Sequence, residues 1–131
     1  MSASNSRLRD PLAHVRGLGS ARGGTHHWWV QRLTAVALAL LTPWFLWLSV
    51  SLLGTDYLTM RLTLAQPLNA VLMTAWVVAL FWHAKLGVQV VIEDYVHTPA
   101  LEFAAQIAVN FLCVLGAIAS LVAIGRIAFT A

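Results

Sequence analysis

Three long apolar runs, separated by short polar stretches, dominate the pattern of this chain. They cover about residues 28–53, 67–92 and 99–124, and each exceeds the roughly 20 apolar residues that a helix needs to cross a bilayer. The runs are continuous rather than alternating, so they do not match the strands of a membrane β-barrel. The pattern predicts an all-α integral membrane protein with three transmembrane helices.

Local signals mark where two of these helices begin. Pro67 and Pro99 stand at the start of the second and third runs, where a missing N–H removes no helical hydrogen bond. Thr98 is an expected N-cap, and Glu102 falls in the following turn, where the helix dipole favours an acidic side chain. Both spans are therefore predicted to begin as regular helices at these prolines.

The few charged residues are unevenly distributed. The chain is 60% hydrophobic and 10% charged, against about 25% charged in soluble domains, which argues against a water-soluble core. Four arginines lie in the first 25 residues, and the positive-inside rule therefore predicts a cytoplasmic (or matrix-side) N-terminus. We divide the chain into a basic N-terminal arm, 1–25, and a three-helix membrane domain, 26–131. The arm has no aromatic interleaving or recognisable module, so nucleic acid is not an expected partner.

A histidine, His83, lies deep in the second apolar run. Ionisable residues at membrane depth are costly and commonly functional, and imidazole is a good axial ligand for haem iron. At about 100° per residue, Gly87 and Asp94 fall near the helical face of His83, and Gly87 would leave room for a flat macrocycle. The residues alone leave two interpretations of His83 open, namely haem ligation and a hydrogen bond to a neighbouring helix.

The pair Asp94-Tyr95 follows where the second run meets water. Asp94 comes eleven residues after His83, a displacement of roughly 16 Å along a helix axis. An acid and a phenol at this boundary suit a polar headgroup with an apolar tail, such as a quinone. An ordinary helix end with an interfacial aromatic anchor is the alternative.

Basic and aromatic residues crowd the start of the first run. The sequence His26-His27-Trp28-Trp29 is followed by Arg32. Arginine binds carboxylates through paired hydrogen bonds, and the propionates of a haem at mid-membrane would need such a partner at this boundary. An interfacial anchor without any ligand explains the same residues.

A second polar stripe lies on the face of the second helix away from His83. It consists of Lys85, Gln89, Glu93 and His97 at four-residue spacing. Lys85 lies roughly 10 Å deep, where a charge is costly. We hypothesise that Gln89 and Glu93 support it in a polar ladder that faces a partner subunit. Local thinning of the bilayer is the alternative.

Together these motifs resemble the smaller hydrophobic membrane-anchor subunit of succinate dehydrogenase (respiratory complex II), in its alphaproteobacterial and mitochondrial-like branch. The matching features are His26 with Arg32 six residues on, three spans, and His83 followed by Asp94-Tyr95. The surrounding sequences Gly-Thr-His-His-Trp-Trp-Val-Gln-Arg-Leu-Thr-Ala and His-Ala-Lys-Leu-Gly are similar as well. The resemblance extends from about residue 17 to the end of the sequence.

The resemblance implies a haem b shared with a second cytochrome b-type anchor subunit, with one axial histidine from each. His83 matches the ligand of the haem iron. Tyr95 and Asp94 match the site of the substrate ubiquinone, and His26 and Arg32 match residues near the haem propionates. The resemblance also implies an iron–sulfur subunit and a flavoprotein subunit, which hold the iron–sulfur clusters and FAD. No residue of this chain alone would be catalytic.

The implied function is that of the anchor of a succinate:ubiquinone oxidoreductase, which serves the tricarboxylic acid cycle and aerobic electron transport. The bacterial inner membrane is the expected location, ahead of the mitochondrial inner membrane. One alternative is the anchor of a quinol:fumarate reductase, which runs the reaction in reverse. The other is a non-redox membrane assembly or scaffold subunit.

Overall fold

The architecture is a set of four helices, seen in a computed structural model that describes residues 22–131, with side chains from Gly24 onward. The helices are α1 (Arg22–Ser51), α2 (Tyr57–Ala65), α3 (Pro67–Tyr95) and α4 (Pro99–Thr130). Three segments are long and apolar enough to cross a membrane, namely Gly24–Ser51, α3 and α4. No strand occurs between residues 22 and 131, so the predicted all-α fold with three spans is confirmed.

The predicted N-terminal arm lies largely outside the described residues. Residues 1–21 are not described, and α1 begins at Arg22, a few residues before the predicted boundary at residue 26. The division into arm and membrane domain therefore stays a prediction, as does the cytoplasmic N-terminus.

Helix α3 is the centre of the bundle. It packs against α1 on one side and α4 on the other, while α1 and α4 make no direct contact in the described chain. Helix α3 supplies most of the buried apolar side chains, whereas α4 supplies none. These core residues are Met73, Val77, Ala79, Leu86 and Ile92 of α3, with Leu48 and Leu52 from the end of α1 and the turn after it. The apolar outer faces of α1 and α4 are thus left to lipid or to other membrane helices.

Two contacts hold the neighbouring helices against α3. Trp76 of α3 stacks on Phe45 of α1 with 4.0 Å between ring centroids, and its indole N–H donates to Thr42 Oγ1 at 3.1 Å. On the other side of α3, Phe81 packs so close to Gly116 of α4 that a Cβ at that glycine would approach the ring to 2.6 Å. Small residues let membrane helices approach closely, so Gly116 sets how near α4 comes.

Between the first two spans, where the pattern predicts only a short polar stretch, the structure has the nine-residue helix α2. Asp56 caps it, since its carboxylate accepts from Thr59 N at 3.1 Å and from the Thr59 hydroxyl at 2.5 Å. These bonds lower the pKa of the Asp56 carboxyl below its ordinary value. Gly54, at φ +81°, makes the turn out of α1, and Arg61 Nη2 donates to Thr130 O of α4 at 2.7 Å. A cap and a tertiary contact therefore hold a helix that is too short to predict from periodicity.

A short connection, residues 96–98, joins α3 to α4. Helix α3 ends at Tyr95, where the Val96 N–H closes the last turn. The predicted helix starts at Pro67 and Pro99 are confirmed. Thr98 is the N-cap residue of α4, as predicted, although its side chain makes no capping hydrogen bond.

Candidate functional site

His83 is held by a hydrogen bond that joins α3 to α1. Its Nδ1 lies 3.0 Å from Thr34 Oγ1. The Thr34 hydroxyl donates to the α1 backbone, with Val30 O at 2.8 Å and Gln31 O at 3.1 Å. A hydroxyl has a single hydrogen, so Thr34 Oγ1 can accept from the His83 Nδ1–H while it donates to the α1 backbone. This arrangement is compatible with the Nδ1–H tautomer, in which Nε2 carries the lone pair on the side of Gln31 Nε2.

Polar side chains of α1 lie on this side of His83, and two of their atoms have no hydrogen-bond partner among the described residues. Gln31 Nε2 lies 3.5 Å from His83 Nε2, at the outer limit of a hydrogen bond. Gln31 Oε1 and the neighbouring His27 Nε2 are buried without a hydrogen-bond partner in the described chain. Buried polar atoms are rarely left in this state, and such atoms mark catalytic or ligand-binding places, or sites of ordered water. This part of the structure therefore has polar atoms available to a group or an ordered water outside the described residues.

An open groove between α1 and α3 contains these groups. Its volume is about 610 Å³. The residues that line it are Gly24, His27, Trp28, Gln31, Arg32 and Ala35 from α1, and His83, Gly87 and Val90 from α3. A Cβ at Gly87 would meet only Gln31 Nε2, at 4.0 Å. A side chain at this position would take up groove volume rather than clash, which agrees with the room predicted beside His83.

Of the two residues predicted to lie near haem propionates, only Arg32 lines the groove. It lines the wall, and its guanidinium carbon lies 5.4 Å from the centroid of the Trp28 ring, in a cation–π contact. His26, the other predicted partner, is exposed and does not line the groove, whereas His27 does. The structure therefore brings Arg32 and His83 to one groove and leaves His26 outside it.

Three groove-region residues were not predicted from the sequence, namely His27, Gln31 and Thr34. They stand at i, i+4 and i+7 and so form one stripe along α1. The stripe itself is visible in the sequence. What the sequence does not reveal is that this face of α1 meets α3, because beyond this stripe α1 is apolar on most of its surface.

Asp94 and Tyr95 form the end of α3. Both are exposed, and 78% of the Tyr95 surface is accessible. Helix α3 is continuous from His83 to Asp94, so the two positions are separated by roughly 16 Å along the axis. Neither boundary residue lines the groove. The helix thus carries His83 and the boundary pair at different depths, and a headgroup site at the boundary would need further walls from outside the described residues.

A polar seam lies between α3 and α4, on the other side of α3. The name refers to Lys85, Gln89, Gln106 and Asn110, which line one cavity of about 10 Å³, enough for about one water molecule. Gln89 Nε2 donates to Glu93 Oε1 at 2.9 Å, as the ladder hypothesis requires. Lys85 and Gln89 line this cavity together with α4 of the same chain, and the contact of the stripe with a partner subunit stays a prediction.

Comparison with known proteins identifies the family. The profile described as succinate dehydrogenase/fumarate reductase transmembrane subunit matches residues 6–117. The succinate dehydrogenase hydrophobic membrane anchor subunit of Rickettsia bellii is 34% identical over 117 residues, which cover 89% of this chain and 94% of that protein. The subunit of the same name from Rickettsia conorii is 34% identical over 114 residues, which cover 86% and 90%. The chain therefore belongs to the succinate dehydrogenase/fumarate reductase transmembrane subunit family, as its motifs predicted.

Proposed function

We propose that this chain is the membrane anchor of a succinate:ubiquinone oxidoreductase and supplies one axial ligand of a haem b and part of a ubiquinone-reduction site. A second cytochrome b-type anchor supplies the other axial histidine. The iron–sulfur and flavoprotein partner subunits hold the iron–sulfur clusters and FAD. The family and the names of its relatives support the complex. The hydrogen bond between Thr34 and His83 carries the ligand assignment.

The state of the His83 ring supports an axial role. A ligating histidine binds through one nitrogen and donates the other ring N–H to an acceptor that orients the ring. Thr34 Oγ1 is such an acceptor, which leaves Nε2 available on the side of Gln31 and the groove. The described chain contains no group of three or more His, Cys, Asp or Glu side chains that could hold a metal ion. A single nitrogen therefore suits a macrocycle that brings its own equatorial ligands, rather than a bare ion.

The polar groups of the groove also fit a haem b. Arg32 can bind a propionate carboxylate through its guanidinium, and the unpartnered Nε2 of His27 offers a second polar contact. The exposed His26 stays a predicted contact at the outer edge of the same region. When bound, the haem supplies reversible one-electron exchange at membrane depth. The protein's part is to hold His83 in one tautomer and to keep the groove open at Gly87.

Tyr95 and Asp94 act at the membrane boundary in this proposal. The Tyr95 hydroxyl donates a hydrogen bond to a carbonyl oxygen of ubiquinone and so orients the headgroup. The adjacent Asp94 carboxyl polarises the site or relays a proton from water to the reduced quinone oxygen. The exposure of both side chains supports such contact. Since succinate is oxidised in the partner subunits, the chain alone has no catalytic activity.

The direction of the reaction and the location are part of the proposal. The family description also covers fumarate reductase, whose reaction runs the other way. The relatives named as succinate dehydrogenase anchors favour succinate oxidation. Three candidate spans make the chain a multi-pass membrane protein, and we place it in a bacterial inner membrane.

An absorption spectrum of the intact complex tests the ligand assignment. The complex is purified in mild detergent through a tag on this chain, and reduced-minus-oxidised spectra are compared for the wild type, His83→Ala and His97→Ala. His97 is the matched control because it is exposed and lies beyond the end of α3. We expect a low-spin b-type haem in the wild type and the control. We expect its loss, or a shift to high spin, in His83→Ala.

Each other outcome has a defined meaning. An unchanged low-spin spectrum in His83→Ala would refute ligation by this residue. A wild-type complex that retains the flavoprotein but contains no haem would preserve the anchor role and remove the ligand role. Absence of both haem and flavoprotein would overturn the proposed function and favour a non-redox scaffold.

A further inference from the structure

A second candidate site lies at the end of the bundle opposite the α3–α4 connection. There α2 and the last turns of α4 form an open pocket of about 370 Å³. Its lining residues are Tyr57 and Arg61 from α2, and Ala123, Arg126, Ile127 and Thr130 from α4. None of them contributes to the groove of His83 or to the boundary pair.

The Arg61 side chain is positioned by α4. Its Nη2 donates to Thr130 O at 2.7 Å and to Thr130 Oγ1 at 2.9 Å. The Thr130 hydroxyl in turn donates to the backbone carbonyl of Arg126, the second arginine of the pocket. These bonds use only Nη2, so Nη1 and Nε of Arg61 are left for another acceptor. Holding the guanidinium in place beforehand reduces the entropy lost when a ligand binds.

The two arginines have no carboxylate partner within the described chain. Asp56, which directly precedes α2, is engaged as the cap of that helix and accepts from Thr59. The other acidic residues of the described chain are Glu93, Asp94 and Glu102, at the end of α3 and the start of α4. Neither arginine of the pocket is therefore paired with an Asp or Glu side chain of the described chain.

The rest of the pocket is apolar. Ala123 and Ile127 lie one turn apart on α4, which is apolar enough to cross a membrane. Tyr57 is exposed over 75% of its surface, and tyrosine is a residue type enriched where membrane meets water. Two guanidinium groups suit a phosphate, which they bind through paired N–H donors. The apolar wall suits an acyl chain.

We propose that this pocket binds an anionic phospholipid. Arg61 and Arg126 contact the phosphodiester, the Tyr57 hydroxyl contacts the headgroup, and an acyl chain lies along Ala123 and Ile127. A free phosphate would meet the same two arginines but would gain nothing from the apolar wall. The site is independent of the haem and quinone proposals, since it shares no residue with them.

Native mass spectrometry of the intact complex tests this assignment. The delipidated complex in neutral detergent is titrated separately with dioleoylphosphatidylglycerol, dioleoylphosphatidylcholine and inorganic phosphate. We expect phosphatidylglycerol to bind most tightly, and Arg126→Gln to weaken its binding about fivefold, the usual contribution of one arginine near anionic lipid. Phosphatidylcholine, whose phosphodiester charge is balanced by its own choline, should bind more weakly and should lose less affinity in Arg126→Gln. Arg126→Lys is the matched control, because it keeps the charge and should lose less affinity than Arg126→Gln.

The choice of Arg126 separates binding from folding. Arg61 also ties α2 to α4, so its replacement would disturb the helix packing, whereas no hydrogen bond of the Arg126 side chain holds the described fold. Equal affinities for the two lipids, or equal losses of both in Arg126→Gln, would overturn the proposal. Inorganic phosphate that binds as tightly as phosphatidylglycerol would reduce the pocket to a simple anion site. A cross-link from position 126 to an acidic segment of a partner subunit would show that protein, not lipid, fills it.

Discussion

Replacing Thr34 with valine tests the geometry that supports His83 as a ligand. Valine has nearly the shape of threonine but no hydroxyl. The change therefore removes the acceptor of the His83 Nδ1–H, at 3.0 Å, and keeps most of the packing between α1 and α3. Thr34→Ser is the matched control, because it keeps the hydroxyl and loses only a methyl group.

The structure sets the size of the expected effect. Loss of the hydrogen-bond partner that supports a metal-ligating histidine weakens metal binding about 10–100-fold. A buried donor left without an acceptor costs about 1–3 kcal/mol, and about 1.4 kcal/mol corresponds to tenfold, so the two ranges agree. Thr34 and His83 are both half-buried, which lets water replace part of the lost bond. We therefore expect haem retention to fall by about tenfold, the lower end of the range.

Transfer of haem to an excess of apomyoglobin measures this retention. The wild-type complex, Thr34→Val and Thr34→Ser are compared in the same detergent, and the rate of haem loss is followed by absorption. If Thr34→Val loses haem no faster than the wild type, the idea that the Nδ1–H bond sets the tautomer of the ligand is refuted. A loss of the same size in Thr34→Ser would attribute the effect to packing rather than to the hydroxyl.

Three further predictions concern the boundary, the helix packing and α2. Tyr95→Phe should impair quinone reduction but leave succinate oxidation by a soluble dye intact, since the proposed role of the hydroxyl concerns only the quinone. Equal loss of both activities would contradict that role. Gly116→Val should destabilise the complex by about 1–3 kcal/mol, because its Cβ would approach the Phe81 ring to 2.6 Å. In thermal melts Gly125→Val is the control, as a Cβ there meets nothing within 4 Å, and equal melts would refute the packing argument. Hydrogen bonds in the first turn of α2 lower the pKa of Asp56 from 3.8. Its stabilising contribution is therefore complete above that pH and is lost as the pH falls through the lowered pKa. Hydrogen exchange of the α2 amides should show this loss in the wild type and not in Asp56→Asn.

The three spans could be predicted because lipid leaves the backbone few alternatives. Every peptide group in the hydrocarbon region must be satisfied within its own segment, so a continuous apolar run of sufficient length implies a helix. The prolines at positions 67 and 99 then mark two of the starts. Helix α2 was missed for the opposite reason, since nine residues carry little periodic signal. The hydrogen bond from Arg61 to Thr130, which ties α2 to α4, joins positions that are 69 residues apart, so no local pattern indicates it.

The residues of the groove were predicted only where their chemistry is unusual for their depth. His83 and Arg32 satisfy that condition, because ionisable side chains within an apolar run or at its edge are costly and commonly functional. Gln31 and Thr34 are ordinary polar residues of α1. Their role depends on which face of α1 meets α3, and that orientation is set by packing along the whole interface, including the stacking of Trp76 on α1.

Which of His26 and His27 lines the groove could not be predicted for the same reason. Adjacent residues on a helix differ in direction by about 100°, so a motif that contains both histidines does not say which one enters a groove. The four-residue spacing from His27 to Gln31 distinguishes them once the position of α3 is known. A histidine pair at a helix start is therefore resolved by tertiary packing and not by its own sequence.

Helix α3 separates two kinds of polar chemistry by its helical geometry. His83 and Lys85 are two positions apart, so they point about 200° apart around the axis. His83 faces the groove with α1, while Lys85 faces the seam with α4, where the amides of Gln106 and Asn110 line its cavity. A positive charge inside the groove would favour the reduced state of any haem bound there and would compete with Arg32 for its propionates. Because α3 continues as an unbroken helix through these positions, the lysine lies on the far side of the backbone from the proposed ligand, and the chain can carry a charge at membrane depth without placing it against the iron.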